Sequence, residues 1–266
     1  AYEIYPNVTE INFNLSVILK RRGIFKEAEI YAKKAITLNP QLAVAHSNLS
    51  DIQRSLGDFS ASLVSIREAI TLAPDCALFH GNLGALLIER GDLEAARLST
   101  LMSIRLDDHY FEAHKNLGHI LFVQGKLIEA EHHLEQALKI NSNYIDAYYD
   151  LALVSINLSK TDIAKKYLMK SLSIQPDYEP SIFQLAQQLY LEKNYQLSIS
   201  YLIHSSSKRC LSLHLACLLS LNKKQDFLDF YQEIIKSRIC NPHIGAIIDH
   251  ANIFYDQKLY STFCNK

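Results

Sequence analysis

The stretch NLSVILKRRGIFKEAEIYAKKAITLNP, residues 14–40, decides the fold, because its landmarks return every 34 residues. Asn14-Leu15, Gly23, Ala28, Ala35 and Pro40 become Asn48-Leu49, Gly57, Ser62, Ala69 and Pro74 one step on. Two further steps give Asn82-Leu83, Gly91, Ala96, Ser103 and Asp108, then Asn116-Leu117, Gly125, Ala130, Ala137 and Ser142. A fifth copy reads Asp150-Leu151, Ser159, Ala164, Ser171 and Pro176, and a sixth is recognisable at Gln184-Leu185, Lys193, Ser198 and Ser205. A fixed period of this size marks a solenoid, in which each supersecondary unit buries its apolar face only against its neighbours.

Each unit reads as two helices. In the second copy Ala45, Leu49, Ile52 and Leu56 recur at helical spacing, and Phe59, Leu63, Ile66 and Ile70 do so again after Gly57. Gly57 suits the left-handed residue that closes a helix, Asp58 can cap the next one, and Pro74 pushes its predecessor out of the α region. Small residues recur where helices must approach closely: Gly84, Gly118, Ala152 and Ala186 on the first helix, Ala28, Ala96, Ala130 and Ala164 on the second. The complete units span 9–42, 43–76, 77–110, 111–144, 145–178 and 179–208.

The ends depart from the period. Ala1, Ile4 and Pro6 match Ala35, Leu38 and Pro40, so residues 1–8 read as the remnant of a preceding repeat, with a short natural cap as the other reading. After Ser205 the frame slips: Leu215-Ala216 and Leu219 resemble a repeat start that comes early. Phe227, Tyr231, Ile234 and Ile235 would form its second helix, and His243 to Tyr255 one more. Residues 209–266, with Tyr260 and Phe263 near their end, are expected to be a degenerate repeat and helical cap, or else the lead-in to a further domain.

A formal charge of -1 gives no electrostatic case for nucleic acid or anionic lipid. No stretch approaches the roughly 18 apolar residues of a membrane span. Cys76, Cys210, Cys217, Cys240 and Cys264 follow no CxxC spacing, which suits reduced thiols in a cytosol-like compartment. His46, His80 and His114 repeat at the period, one per unit, too far apart to share an ion, and read as packing residues. His132-His133 point different ways on a helix. No nucleophile motif, phosphate loop or paired-acid constellation is present, so no catalytic residue, metal or cofactor is expected.

Leu83-Gly84, Leu87, Gly91 and Ala96, with the proline of neighbouring copies, resemble the tetratricopeptide repeat, a 34-residue helix–turn–helix, over roughly residues 1–208. The resemblance is nearest to bacterial arrays and to those of the O-linked N-acetylglucosamine transferase type. It implies an all-α, right-handed superhelix of about six repeats with a degenerate helical C-terminal cap. It also implies a cytoplasmic, non-catalytic module that takes a protein or peptide segment in its concave groove. Departures are local: His46, His80 and His114 stand where an aromatic is usual, Asp108 and Ser142 replace the proline, and Ser159 and Lys193 the turn glycine.

By the same resemblance Asn14, Asn48, Asn82 and Asn116, continued by Asp150 and Gln184, face the concave side, with Lys115 and His119 beside them. An asparagine amide matches the C=O and N–H of a peptide bond. With first helices on the order of 10 Å apart and an extended chain rising about 3.3 Å per residue, one clamp falls to about every third ligand residue. Asparagine at this position also bonds within the scaffold in the family, and both readings stay open. Other inward positions are polar early (Lys20, Arg21, Asp51, Arg54) and apolar later: Ile88, Phe122, Val123, Tyr149, Leu153, Ile156, Phe183, Tyr190 and Leu191. Exposed, that set exceeds what a monomer normally shows, so a ligand segment or folded neighbour is expected to cover it, some members packing between repeats. The basic pairs that clamp C-terminal peptide tails are not at matching positions. The competing reading is the substrate-recruiting region of a larger enzyme, a glycosyltransferase, sulfotransferase or iron/2-oxoglutarate oxygenase. Self-association through the terminal helices is a further expectation.

Overall fold

The computed structural model describes residues 8–237 and 242–255, and every regular element among them is an α-helix. The first helices of successive units are α1 (Thr9–Arg21), α3 (Ala43–Ser55), α5 (Ala77–Glu89), α7 (Phe111–Val123), α9 (Ile145–Asn157), α11 (Glu179–Leu191) and α13 (Lys208–Ser220). Their partners are α2 (Phe25–Leu38), α4 (Phe59–Leu72), α6 (Leu93–Leu106), α8 (Leu127–Ile140), α10 (Thr161–Ile174), α12 (Tyr195–Leu202) and α14 (Lys224–Lys236), and α15 (Pro242–Tyr255) follows. The fold is an all-α solenoid of helical repeats. It divides into two compact units, Ala1–Ala147, which holds α1 to α8, and Tyr148–Lys266, which holds α10 to α15. The expectations for Tyr260, Phe263, Cys240, Cys264 and residues 1–7 lie outside the described residues.

Every first helix that meets its partner within a repeat ends the same way. At Gly57 the backbone turns left-handed (φ 80°), its N–H donates to the Arg54 carbonyl, and the Asp58 N–H donates to that of Gln53. These two bonds satisfy carbonyls that a helix end would leave orphaned. Asp58 then accepts from the Ala61 N–H and starts α4, and Asp92 does the same for α6 through Ala95. Where glycine is replaced, the bonds persist: Ser159, Lys193 and Asn222 hold φ of 59°, 62° and 54°. The same two carbonyls accept there, so the flanking helices impose a conformation that a Cβ disfavours.

Within a repeat a small residue on the first helix faces a larger one on the second. A Cβ added at Gly118 would lie 2.6 Å from Cγ of Leu134, and one at Gly84 would lie 2.4 Å from Oγ1 of Thr100. Ala152 with Leu168, and Ala186 with Leu202, are buried in the same relation in the second unit. Serines that stand in for alanine at the crossing stay satisfied by bonding the facing helix. Ser62 donates to the Ser50 carbonyl at 2.9 Å, and Ser198 to that of Ala186 at 2.8 Å.

Repeat-to-repeat turns carry a second device. The Nε2 atoms of His46, His80 and His114 bond the carbonyls of Pro40, Pro74 and Asp108, each six residues back, at 2.9, 2.8 and 3.1 Å. These rings are therefore clips on the turn, and His114, which is buried, packs as well. Asn39, Asp107 and Asn141 close the same turns by accepting from the N–H two residues on. The turns at Asp108 and Ser142, which lack proline, thus keep their side-chain closure.

The slip after the sixth unit has a visible cause. Six first helices start 34 residues apart, from Thr9 to Glu179, but α13 starts at Lys208, only 29 on. The deficit falls on α12 and its loop: α12 has 8 residues where earlier second helices have 14. The period then resumes, since α15 begins at Pro242. Phe227, Tyr231 and Ile234 of α14 close with Ile244, Ile248 and Ala251 of α15 over Leu211, Leu215 and Leu218 of α13, one buried cluster.

Ala130 is fully buried against the first helix of its repeat. Ala130→Leu should therefore lower stability by about 1–3 kcal/mol through overpacking. Lys193→Gly should raise it by about 1 kcal/mol by relieving the left-handed backbone. Urea unfolding reads both: the first should lower the midpoint and the second raise it, and a Lys193→Gly midpoint at or below the parent's would refute the strain.

Candidate functional site

In the first unit α1, α3, α5 and α7 bound a cavity of about 870 Å³. Asn48, Asn82 and Asn116, on three successive first helices, all line it. Asn14 is exposed but does not line it, and Lys115, His119 and Phe122 are half-buried on α7 outside it. The three amides differ in what they have left to offer. Nδ2 of Asn48 donates to Oγ of Ser16 at 2.8 Å and its Oδ1 is buried; Nδ2 of Asn82 donates to Oγ of Ser47 at 3.1 Å. Asn116 has no hydrogen-bond partner among the described residues. The places that would offer it a hydroxyl, by the spacings that serve Asn48 and Asn82, are Gly84 and Gly81. Glycine at 81 has its own cause: a Cβ there would sit 2.5 Å from the Tyr110 ring, which also lines the cavity. The expected ladder is thus half structural, with Asn48 tied into the scaffold and Asn116 open.

The cavity's charges are balanced. Lys20, Arg21 and Arg54 line it together with Asp51, Glu112 and Asp146. Lys20 pairs with Asp51 at 3.0 Å, and Arg54 reaches Asp51 at 3.9 Å and Glu89 at 3.4 Å, a network stepping from α1 to α3 to α5. Half-exposed pairs of this kind position side chains more than they stabilise. Burial pushes the Glu112 carboxyl up from its ordinary value, and one of its oxygens is buried with no hydrogen-bond partner. Burial, then the nearby Glu112 and Asp51, pushes the Tyr110 phenol well above its usual range. Donors, acceptors and ring faces with little net charge suit a polar, uncharged backbone.

In the second unit Asp150 is 7% exposed and Gln184 half-buried. The apolar side chains expected to form an open inner surface mostly serve the repeat interiors. Ile88 in the first unit, and Tyr149, Ile156, Phe183 and Tyr190 in the second, pack on buried clusters, and Leu153 is half-buried. Only Val123 and Leu191 of the nine are more than half exposed, at 52% and 67%. The expectation of a broad exposed apolar lining is corrected accordingly: an amphipathic helix had to bury most of these side chains to stack. Tyr149 meets Tyr178 edge-on at 6.1 Å. Phe183 and Tyr190 keep one face open, each lining a cavity along α11, α13 and α15, of about 360 and 380 Å³. Sequence reading missed the contribution of α13 and α15, where Leu213, Ala216, Ile247 and Phe254 complete that lining. The i, i+3 and i+7 spacing of Leu213, Ala216 and Ser220 was the available signal.

Among the described residues no group of three or more metal-binding side chains lies close enough to hold an ion. The nearest thing to a titratable cluster is His114 against His133, with Nδ1 atoms 3.2 Å apart and rings stacked at 5.5 Å. Burial, reinforced by His114 and His132, pulls the His133 pKa down to about 4. Burial likewise lowers His114. One neutral tautomer pair can share the single proton between these nitrogens; two imidazolium rings cannot. Cys76, Cys210 and Cys217 are free thiols, and burial raises the latter two. No helix among the described residues is long and apolar enough to cross a membrane.

Models of the tetratricopeptide repeat match residues 9–42, 48–110, 111–144 and 145–178. No curated protein matches the chain. Among solved structures, the chain is similar to one in the APC/C hetero-tetramer Cut9–Hcn1 at 17% identity and a TM-score of 0.75, over 82% of this chain and 44% of that one. A thermophilic tetratricopeptide-repeat protein of Thermus thermophilus aligns at 22% identity and a TM-score of 0.62, over 69% of this chain and all of its own. PilF of Pseudomonas aeruginosa aligns at 16% identity and a TM-score of 0.60, over 91% and 97%. At these identities the likeness is one of fold, and the chain spans less than half of the first of these relatives.

Because the ordinary histidine value is 6.5 and that of folded His133 about 4, the unfolded chain binds protons in this window that the folded one refuses. Stability should therefore be full above pH 6.5 and fall as pH drops, by up to about 1.4 kcal/mol per pH unit. His133→Asn should make the thermal midpoint less sensitive between pH 6.5 and 5. Equal slopes for the two proteins would refute the assignment.

Proposed function

Since the chain belongs to the tetratricopeptide-repeat family, whose repeats are protein-interaction modules, we propose that it is a non-catalytic scaffold holding an extended peptide segment in the cavity of its first unit. The observation that carries this reading is the convergence of Asn48, Asn82 and Asn116 on one cavity from three successive first helices. Asn116 has both its amide groups to give, and Asn82 its carbonyl, so a peptide backbone finds a donor and acceptors without displacing a scaffold bond. The balanced charge of the walls supports recognition of backbone over net charge. Lys115, His119 and Phe122 on α7 and Asn14 on α1 contribute by shaping the flanks. The same groove would serve the recruiting region of an enzyme, and the two uses part on whether the captured segment is chemically altered by the full polypeptide.

The test is a random-peptide phage selection on the whole chain, followed by fluorescence anisotropy of the enriched sequences. Asn82→Ala with Asn116→Ala should weaken them roughly thirtyfold, two hydrogen bonds at about 1 kcal/mol net apiece, with far-UV circular dichroism unchanged. Asn48 is left intact because its Oδ1 is buried and its Nδ2 is held by Ser16. Because the Asn82 amide also bonds Ser47, a thermal melt of the double variant accompanies the binding measurement. Undiminished affinity in the double variant would overturn the proposal.

A further inference from the structure

The cavities at Phe183 and Tyr190 adjoin, with Ala216 and Ile247 lining both. Together they make a furrow in the second unit whose floor is Phe183, Tyr190, Leu213, Ala216, Ile247 and Phe254. Its charge is one-sided. The ionisable groups on its walls are Arg209, His243 and His250, and no aspartate or glutamate lines it among the described residues. This is the opposite of the first unit's cavity, where three acids answer three bases.

Arg209 is the telling residue. Its guanidinium carbon stands 6.0 Å over the Phe183 ring, and it has no acidic partner among the described residues. The acid on the neighbouring helix, Glu179, is engaged elsewhere, accepting from Oγ of Ser207 at 2.7 Å and from Sγ of Cys210 at 3.9 Å. A guanidinium resting on a ring keeps its in-plane N–H fork free, and that fork matches a carboxylate in bidentate fashion. From Arg209 the lining continues along α13 to Ser220. A ligand chain anchored there has apolar surface to follow. From Ser212 to Ser220 α13 rises about 12 Å, the reach of about four extended residues.

We propose that this furrow takes a peptide segment with an internal Asp or Glu, its carboxylate on Arg209, followed by apolar side chains at alternate positions that enter the pockets at Phe183 and Tyr190. The proposal rests on the peptide-binding reading of the repeats for its class of ligand and adds a second lining with its own chemistry. Charge complementarity commits it to an acidic segment, and the apolar floor supplies the burial that an ion pair on an exposed rim lacks.

The probe is a fluorescein-labelled peptide, blocked at both ends, with one Glu followed by Leu and Phe at alternate positions. Its companions carry Gln for Glu, or lack Glu and end in a free carboxylate. By anisotropy on the whole chain at low salt the Glu peptide should bind at least tenfold tighter than the Gln peptide, and the gap should narrow with added salt. Arg209→Gln should erase the gap while leaving the circular dichroism melt in place, since Arg209 is exposed; Asn82→Ala with Asn116→Ala should leave it intact. Equal binding of the Glu and Gln peptides would overturn the proposal and leave the first unit's reading standing, as would failure of both while phage-selected peptides still bind. Tightest binding by the free-carboxylate peptide would overturn it in favour of chain-end recognition.

Discussion

What the structure depends on is the fit of a small residue on each first helix against a larger one on its partner. Gly118 admits Leu134, Gly84 admits Thr100, and Ala152 and Ala186 admit Leu168 and Leu202. Helix axes can then approach to the distance at which side chains interdigitate and dispersion contacts are complete. Everything else is spaced by that contact. Because it recurs every 34 residues, the first helices of the first compact unit recur in register, and the same helical position on each presents a comparable direction. The asparagines converge on one cavity for this reason, without any long-range contact having to arrange them.

The periodic part of this design was legible in the sequence because each rule involved is local. Helix periodicity, left-handed closure at Gly23, Gly57, Gly91 and Gly125, and the small residues at crossings need no knowledge beyond one repeat. What escaped were the properties set by a neighbour. The Asn48 amide is spent on Ser16, and whether that hydroxyl lies in reach depends on how two repeats stack. The open state of Asn116 was written in Gly81 and Gly84, but only in combination with the stacking. The apolar side chains of α9 and α11 could be assigned to groove or interior only by their partners, and most went to the interior. The histidines show a third case: position was readable, but their bond to a turn carbonyl six residues back required the fold.

The two linings differ in physical character. That of the first unit balances cations with anions and keeps its amides half engaged, which on the proposed reading selects for hydrogen-bonding geometry. That of the second unit is apolar with a guanidinium held on a ring, which on the proposed reading selects for charge beside hydrophobic bulk. A repeat protein can carry both because each unit answers only to its neighbours, leaving inward positions free to diverge once the crossing residues are kept.

The shortened α12 carries a consequence of its own. In a chain of nearest-neighbour couplings each helix contributes through the face it offers its neighbours, and α12 has 8 residues to offer where the earlier second helices have 14 and α14 has 13. The left-handed lysine at 193 sits at the entrance to that same helix. The sixth repeat therefore offers its neighbours the shortest second helix among the described residues. A segment lying across Phe183 on α11 and Leu213 on α13 would add contacts between the first helices on either side of it, so a ligand in the furrow would stabilise the repeat beneath by mass action.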